Sequence, residues 1–414
     1  MKRYSQSSAT KAMQYVLTSG SKDIQLSIYS SIEDAKSEWN AIVPDENVFL
    51  QEQFLRVLEE YPPEGMQYRY LIFKDDQNLF GVAYCQVQYF KADESINQPI
   101  DGDDPCFFKA IGKSLRDLVS KMVEFNSLVC GNLLLTGEHG YYFDYSKVEQ
   151  KQAYELLVDA LNTTIQHLSK EGINTPLIFL KDYFPDTSSV AKKVYAPAKF
   201  HDFEFQPNML LNIHPEWSNF DDYLSAMSSK YRVRARRAFK KGKDFSKREL
   251  SLEEIDENRE RIYELYEMVL NHAGFNTMVL NKEYFFGLKK RLEDNFQLVG
   301  YYLNDELVGF YTTIINHEEL EAHFLGFDHT YNRTHQIYLN MLYDMIKRGI
   351  YCGSKQLVFA RTALEIKSSV GAVAHDMQCY LRLQNKLHNR LLMKSIVNYL
   401  NTPEEWTPRH PFKA

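Results

Sequence analysis

Residues 319–361 open with Glu319-Leu320-Glu321-Ala322-His323-Phe324-Leu325-Gly326-Phe327-Asp328, run through Asn332-Arg333-Thr334-His335-Gln336-Ile337, and close on Phe359-Ala360-Arg361. They read as strand, polar loop, helix, strand. Leu320, Ala322 and Phe324 alternate with Glu319, Glu321 and His323, so a strand here buries one face and presents three ionisable side chains on the other. Chemistry is expected on that polar stripe. Residues 326–334 make a polar loop with Thr334 as N-cap; Ile337, Met341, Leu342, Met345 and Ile346 then recur at three- and four-residue steps until Gly349 ends the helix. A strand at 356–360 follows at the spacing of a right-handed βαβ crossover and delivers Arg361 at its carboxyl end.

Working outward, the same order of elements occurs twice. Residues 68–74 and 79–90 flank Asp75-Asp76-Gln77-Asn78 as a hairpin, with Gly81 just inside the second strand; 296–303 and 306–315 flank Asn304-Asp305, with Gly309 in the corresponding place. The glycines are 228 positions apart (309 minus 81). A strand at 128–135, the loop Thr136-Gly137-Glu138-His139-Gly140, a helix at 148–170 and a strand at 177–180 complete the first copy, matching the strand, loop, helix and strand of the second. This is a diverged internal duplication in which each copy is α/β with a mixed sheet. The expected division is a first lobe over 20–226, a basic linking helix over 227–249 and a second lobe over 250–414. The residues up to Gly20 read as loosely held, helices are expected at 32–41, 51–61, 252–270 and 282–292, and a strand at 377–383 with a terminal helix at 387–400 finishes the second lobe.

The length supports this division. At 414 residues, 44% of them apolar and 25% charged, the chain exceeds what one hydrophobic core usually holds. Its net charge of −7 gives no global attraction to nucleic acid or anionic lipid, so a polyanion site must be a local patch. The 28 Tyr and 26 Phe are spread through strand-like segments and read as core. Cys85, Cys106, Cys130, Cys352 and Cys379 form no closely spaced ligand pair, which points away from zinc and towards buried thiols in a reducing compartment. No metal is expected. Lys2, Arg3 and Lys11 are not followed by an apolar signal core, and no uncharged apolar run reaches eighteen residues, so the expected location is the cytoplasm.

One local patch stands out between the copies. Ser228-Ser229-Lys230-Tyr231-Arg232-Val233-Arg234-Ala235-Arg236-Arg237-Ala238-Phe239-Lys240-Lys241-Gly242 reads as a helix capped by Ser229, with one weak apolar face and Lys or Arg over the rest. It carries no acidic partner at helical spacing, so its like charges repel unless a polyanion crosses them. Arg232, Arg234, Arg236, Arg237, Lys240 and Lys241 are the candidate polyanion-binding residues. A solvated interdomain face is the plainer alternative.

Helices, a hairpin with glycine after its turn, a strand leading to a polar loop, a helix and a further strand resemble the GNAT acyltransferase superfamily. Two copies resemble the tandem arrangement of Fem-type peptidoglycan aminoacyl transferases. The basic segment is similar to the one preceding the second copy in Fem-like proteins. Gly326-Phe327-Asp328 and Arg361-Thr362-Ala363-Leu364-Glu365-Ile366-Lys367 with Gly371-Ala372 resemble the second-copy pattern of bacterial peptidoglycan or polysaccharide biosynthesis acyltransferases. The resemblance covers residues 25–400 and implies a tandem duplicated GNAT-like fold. It further implies an N-acyltransferase acting on a small-molecule or envelope-precursor amine, with coenzyme A thioester or aminoacyl-tRNA as donor.

On that resemblance Glu321 and His323 are the candidate bases. Asn332, Arg333, Thr334, Arg361, Glu365 and Lys367 are the candidate donor- or phosphate-binding residues. The loop at 332–337 departs from the coenzyme A pattern because it contains no glycine, and a glycine lets the backbone approach a pyrophosphate. An aminoacyl-tRNA donor needs no such cradle and does need a basic track. The competing class is a non-catalytic binding protein on a degenerate duplicated GNAT fold, since a fold alone does not fix chemistry.

Overall fold

The computed structural model describes residues 12–19, 22–76, 78–91, 124–204, 206–272, 278–401 and 405–413. Its strands are β1 (Met13–Ser19), β2 (Lys22–Tyr29), β3 (Met66–Asp75), β4 (Asn78–Lys91), β5 (Glu124–Cys130), β6 (Tyr141–Phe143), β7 (Leu177–Tyr183), β8 (His201–Glu204), β9 (Asn208–Asn212), β10 (Ser246–Glu249), β11 (Phe296–Leu303), β12 (Glu306–Asn316), β13 (Glu319–Phe327), β14 (Gln356–Val358), β15 (Val373–His375) and β16 (Gln378–Leu383). Its helices are α1 (Ile32–Trp39), α2 (Glu52–Glu60), α3 (Gln150–Lys170), α4 (Pro185–Tyr195), α5 (Phe220–Ala226), α6 (Ser229–Lys241), α7 (Leu252–Glu257), α8 (Arg259–His272), α9 (Tyr284–Leu292), α10 (Thr330–His335), α11 (Ile337–Tyr351), α12 (Leu364–Ser368) and α13 (Lys386–Leu400).

The duplication is carried in local detail. Asn304 and Asp305 both have positive φ, 49° and 65°, the two left-handed residues of a tight hairpin turn that matches the twist of its strands. In both hairpins the ladder slips one residue before the glycine: Gly81 faces Phe73 while Leu79 faces Lys74, and Gly309 faces Tyr301 while Leu307 faces Tyr302. A bulge is thus conserved between the copies. Gly309 is fixed by close approach, since a Cβ there would lie 2.8 Å from Ile337 and 2.9 Å from Met341 of the crossing helix. The carbonyls of the bulged residues Phe80 and Val308 accept from the N–H of Asp144 (2.8 Å) and Asp328 (3.0 Å). Each aspartate then accepts from a hydroxyl and an N–H two residues on, Ser146 or Thr330. Phe143-Asp144-Tyr145-Ser146 and Phe327-Asp328-His329-Thr330 are therefore the same motif twice.

The sheets do not divide where the sequence places the boundary. The first has the order β1-β2-β3-β4-β5-β7-β16-β8, with β6 on β4; the second has the order β10-β11-β12-β13-β14-β9-β15. The closing strand of each copy sits in the other copy's sheet: β9 pairs antiparallel with β14 and β15, and β16 with β7 and β8. Each of the expected lobes 20–226 and 250–414 therefore contributes strand to the other's sheet. β9 and α5 belong to the second core through Met209, Leu211 and Tyr223, whereas β16 and α13 belong to the first sheet through Cys379, Leu381 and Met393. A further core spans both lobes, joining Trp39, Phe49 and Tyr70 to Tyr284, Phe310 and Ile314.

Other differences are local. Residues 13–19, expected to be loose, form an edge strand on β2 because seven consecutive residues find ladder partners. The acidic helix over 252–270 is two helices, the first capped by Ser251 and Glu254 and ended at Asn258. The strand expected over 128–135 is Glu124–Cys130 and stops at Gly131. Cys85, Cys130 and Cys379 are buried thiols, but Cys352 is exposed; Cys106 lies outside the described residues.

Equivalent positions meet at the junction. Val129 faces Phe179 and Glu321 faces Val358 across parallel pairs, and the offset of 179 (358 minus 179) that this sets also relates Asp182 to Arg361. The Asp182 carboxylate accepts from Arg361 at 2.5 and 3.2 Å, and Lys181 joins it. Burial pushes the Asp182 carboxyl up, but the Lys181 and Arg361 charges outweigh this and hold it well below the usual carboxylate range. A depressed pKa adds stability above about pH 4 that is lost as the pH falls below it. Asp182→Ala is expected to cost about 3–5 kcal/mol, because Arg361 and Lys181 are left buried without their countercharge. Denaturant melts check this; a loss under about 1 kcal/mol would put the junction's stability elsewhere.

Candidate active site

The site is built on an interrupted strand. β13 pairs with β12 as Ala322 with Thr313 and as Leu325 with Tyr311, so His323 and Phe324 together stand opposite Thr312. The Thr312 hydroxyl closes the gap, accepting from Phe324 N–H and donating to Phe324 C=O, both at 2.9 Å. β14 runs parallel to β13 only from Glu319 to Glu321 and then ends. The pairing thus ends at Glu321, two residues before His323, and leaves a wedge of unpaired backbone between the two strands.

In the first lobe the same interruption has become a loop. Cys130 faces Cys85 and Phe143 faces Gly81, the counterparts of Ala322 facing Thr313 and Phe327 facing Gly309. The offset falls from 192 (322 minus 130) to 184 (327 minus 143), so the first copy holds eight additional residues. They fill its wedge. Glu138 accepts from Phe184 N–H at 2.5 Å and from the Thr187 hydroxyl, Lys181 donates to Leu135 C=O at 2.7 Å, and Gly137 N–H donates to Asp182 at 3.1 Å. His139 packs on Phe49 with ring centres 4.6 Å apart, and burial moves its imidazole down to about 4.

In the second lobe Glu321 is 6% exposed and forms no hydrogen bond or ion pair among the described residues. Burial, and then the neighbouring Glu319, push its carboxyl well above the ordinary range. That suits a base working near neutral pH. His323 meets the Tyr284 hydroxyl at 2.8 Å, and burial lowers its imidazole to about 3, so it stays neutral and acts as a hydrogen-bonding partner. Tyr284 was not found from the sequence, where it is one of many aromatics at a helix start.

The donor candidates are placed unevenly. Asn332, Arg333 and Thr334 are exposed, on α10, a helix where a loop was expected, and Gln336 in the left-handed region at φ 52° is the N-cap of α11 in place of Thr334. Asn332 takes up Tyr338 N–H at 3.4 Å, an amide of the first turn of α11. With that amide covered and no glycine for close approach, these residues do not fit the pyrophosphate of coenzyme A. Arg361 gives its guanidinium to Asp182 and its Nε to Gln206 C=O at 2.7 Å, so those groups hold it at the lobe junction. Lys367 is buried and donates to Phe359 C=O at 2.6 Å, to Ala360 C=O at 3.3 Å and to Arg361 C=O, binding main chain beyond β14; burial lowers its pKa to about 7. Glu365 pairs with Arg409 at 2.7 Å.

The basic segment is helix α6, with Ser228 as N-cap in place of Ser229. It packs on α11 through Ala235, Ala238 and Phe239, whose ring is 5.1 Å from Tyr343, while Asn340 donates to Ala238 C=O at 3.1 Å. Gly242 follows because a Cβ would lie 2.7 Å from Asn340. Among the described residues Arg234, Arg236, Arg237 and Lys240 form no ion pair, Lys241 reaches Arg333 C=O at 3.5 Å, and Arg232 is tied to Met227 C=O at 3.2 Å. A groove of about 1050 Å³ runs along α6, lined by Lys230, Arg234 and Arg237 on one side and by Ala363 to Ile366, Glu365 among them, with Glu405, Trp406 and Arg409 on the other. The contribution of the tail was not legible, since nothing in its sequence says where it folds back.

Residues 229–367 match the family model of an acetyltransferase (GNAT) domain. No curated protein matches the chain. Among solved structures it is similar to FemX, at 12% identity and a TM-score of 0.51 over 86% of this chain and 98% of that one. It is also similar to a conserved protein of unknown function from Bacteroides thetaiotaomicron (13%, TM-score 0.44, 86% and 98%) and to a tandem GNAT protein from the clavulanic acid biosynthesis pathway (7%, 0.47, 87% and 98%). Residues 229–367 are thus similar to a GNAT domain, and the chain as a whole has a duplicated, FemX-like fold.

Glu321→Gln keeps the shape of the side chain and removes its basicity, so turnover is expected to fall by about 10² to 10⁴ with the melting temperature unchanged. In the native protein kcat should rise with pH through the raised Glu321 pKa, and the variant should lose that limb. Full activity in the variant would exclude Glu321 as the base.

Proposed function

We propose that the protein is an N-acyltransferase that moves an aminoacyl group from aminoacyl-tRNA to an amine in the wedge of the second lobe, with a cell-envelope or polysaccharide precursor as acceptor. One observation carries the choice of donor: the groove along α6 carries Arg234 and Arg237, which form no ion pair among the described residues, while Glu365 across it is taken by Arg409, and an amide at the start of α11 that a pyrophosphate would use is taken by Asn332 of α10. Like charges held together without countercharge favour a polyanion across them. The cytoplasm is the compartment in which such a donor is available.

The chemistry follows from the wedge. The acceptor amine attacks the ester carbonyl, a carbon–nitrogen bond forms, and the carbon–oxygen bond to the ribose breaks. Glu321, as carboxylate, takes the proton that the nitrogen must lose and returns it to the leaving oxygen. The neutral His323 and Tyr284 hold the wall beside it, a pair without net charge that does not compete with the amine for Glu321. A second reading, with acyl-coenzyme A as donor, is favoured by the match of residues 229–367 to an acetyltransferase domain.

Transfer assays with charged tRNA and with acetyl-coenzyme A against a panel of amines separate the two. Product is expected from charged tRNA alone, and Arg234→Ala with Arg237→Ala should weaken tRNA binding and lower the log–log salt slope by about one unit per lost phosphate contact. Turnover with acetyl-coenzyme A and an unchanged slope would favour the second reading.

A further inference from the structure

We propose that helix α13 is a docking face for an anionic lipid bilayer, independently of the acyl-transfer reading. The helix lies over β8 and β16 and buries Met393 and Val397 against Phe203, Cys379 and Leu381. At about 100° per residue, its outward face is centred on Leu387, Leu391, Lys394 and Asn398, with Lys386 and Arg390 along one flank. Leu387 is 62% exposed and Leu391 61%, on successive turns of the same face. Lys386, His388, Arg390 and Lys394 are exposed around them. None of the fifteen residues is acidic, in a chain whose net charge is −7.

That combination selects the occupant. A protein partner needs a contiguous interface of roughly 1,000 Å² or more with an apolar centre, and two leucines ringed by cations do not provide one. A bilayer asks less: a few apolar side chains that reach the acyl boundary, and cations at headgroup level attracted to anionic lipid. No helix among the described residues is long and apolar enough to cross a membrane, so the contact is peripheral. It would hold the first lobe against the surface.

Sedimentation of the full chain with vesicles of phosphatidylglycerol and phosphatidylcholine, against phosphatidylcholine alone, tests this. Binding is expected only to the anionic vesicles, weakening as salt rises. The paired substitution L387S and L391S, at exposed positions where folding is unaffected, should lower partitioning by about tenfold or more. R234A with R237A, which strips the groove, should leave that leucine-dependent binding in place. No association with anionic vesicles, or association that survives L387S and L391S, would overturn the proposal. Loss of tRNA binding in L387S and L391S would also overturn it by assigning the face to nucleic acid.

Discussion

The pairing of Asp182 with Arg361 is the constraint on which the arrangement of the two lobes depends. These are equivalent residues of two copies, each just beyond a short parallel pair of strands, and they meet each other at the lobe junction. Around them the backbone is held in left-handed conformations at Asp182, Ala360, Thr362 and Ala363, which non-glycine residues adopt only when their surroundings enforce it. Buried Lys181 and Lys367 satisfy the nearby carbonyls and carboxylate. With β9 and β16 exchanged between the sheets, neither lobe completes its sheet alone, much as in a strand-exchanged dimer fused into one chain.

Within that near-symmetric frame the first copy holds eight more residues than the second between the β5 position Cys130 and the Phe-Asp motif, and they lie at its own wedge. In the first lobe the chain occupies its own wedge, with Glu138 supplying the anionic group at the start of α4. In the second, a single threonine hydroxyl bridges the interruption and Glu321 is left without a partner among the described residues. The cationic face of α6 lies beside this open copy.

Much of this was legible because it is local. The turn at Asn304-Asp305, Gly309 and the amphipathic stripe of α11 each follow from a few neighbouring residues, and together they identify the duplication. The strand exchange was not legible: β9 and β16 are short, and no property of an apolar strand names its partner across the chain. Arg361 illustrates the same limit, since its charge is visible but its countercharge lies 179 positions away (361 minus 182). The repeated Phe-Asp-x-Ser/Thr at 143–146 and 327–330 was present in the sequence and would have fixed the register of the copies and exposed the insertion.

The most direct test is a structure with a non-hydrolysable aminoacyl-nucleoside soaked or co-crystallised. The account requires the aminoacyl group in the second-lobe wedge beside Glu321 and the nucleoside towards the groove flanked by Arg234 and Arg237, with the first-lobe wedge still filled by residues 132–139. Density in the first lobe with that loop displaced, or a ligand on α11 with α10 moved aside, would contradict it.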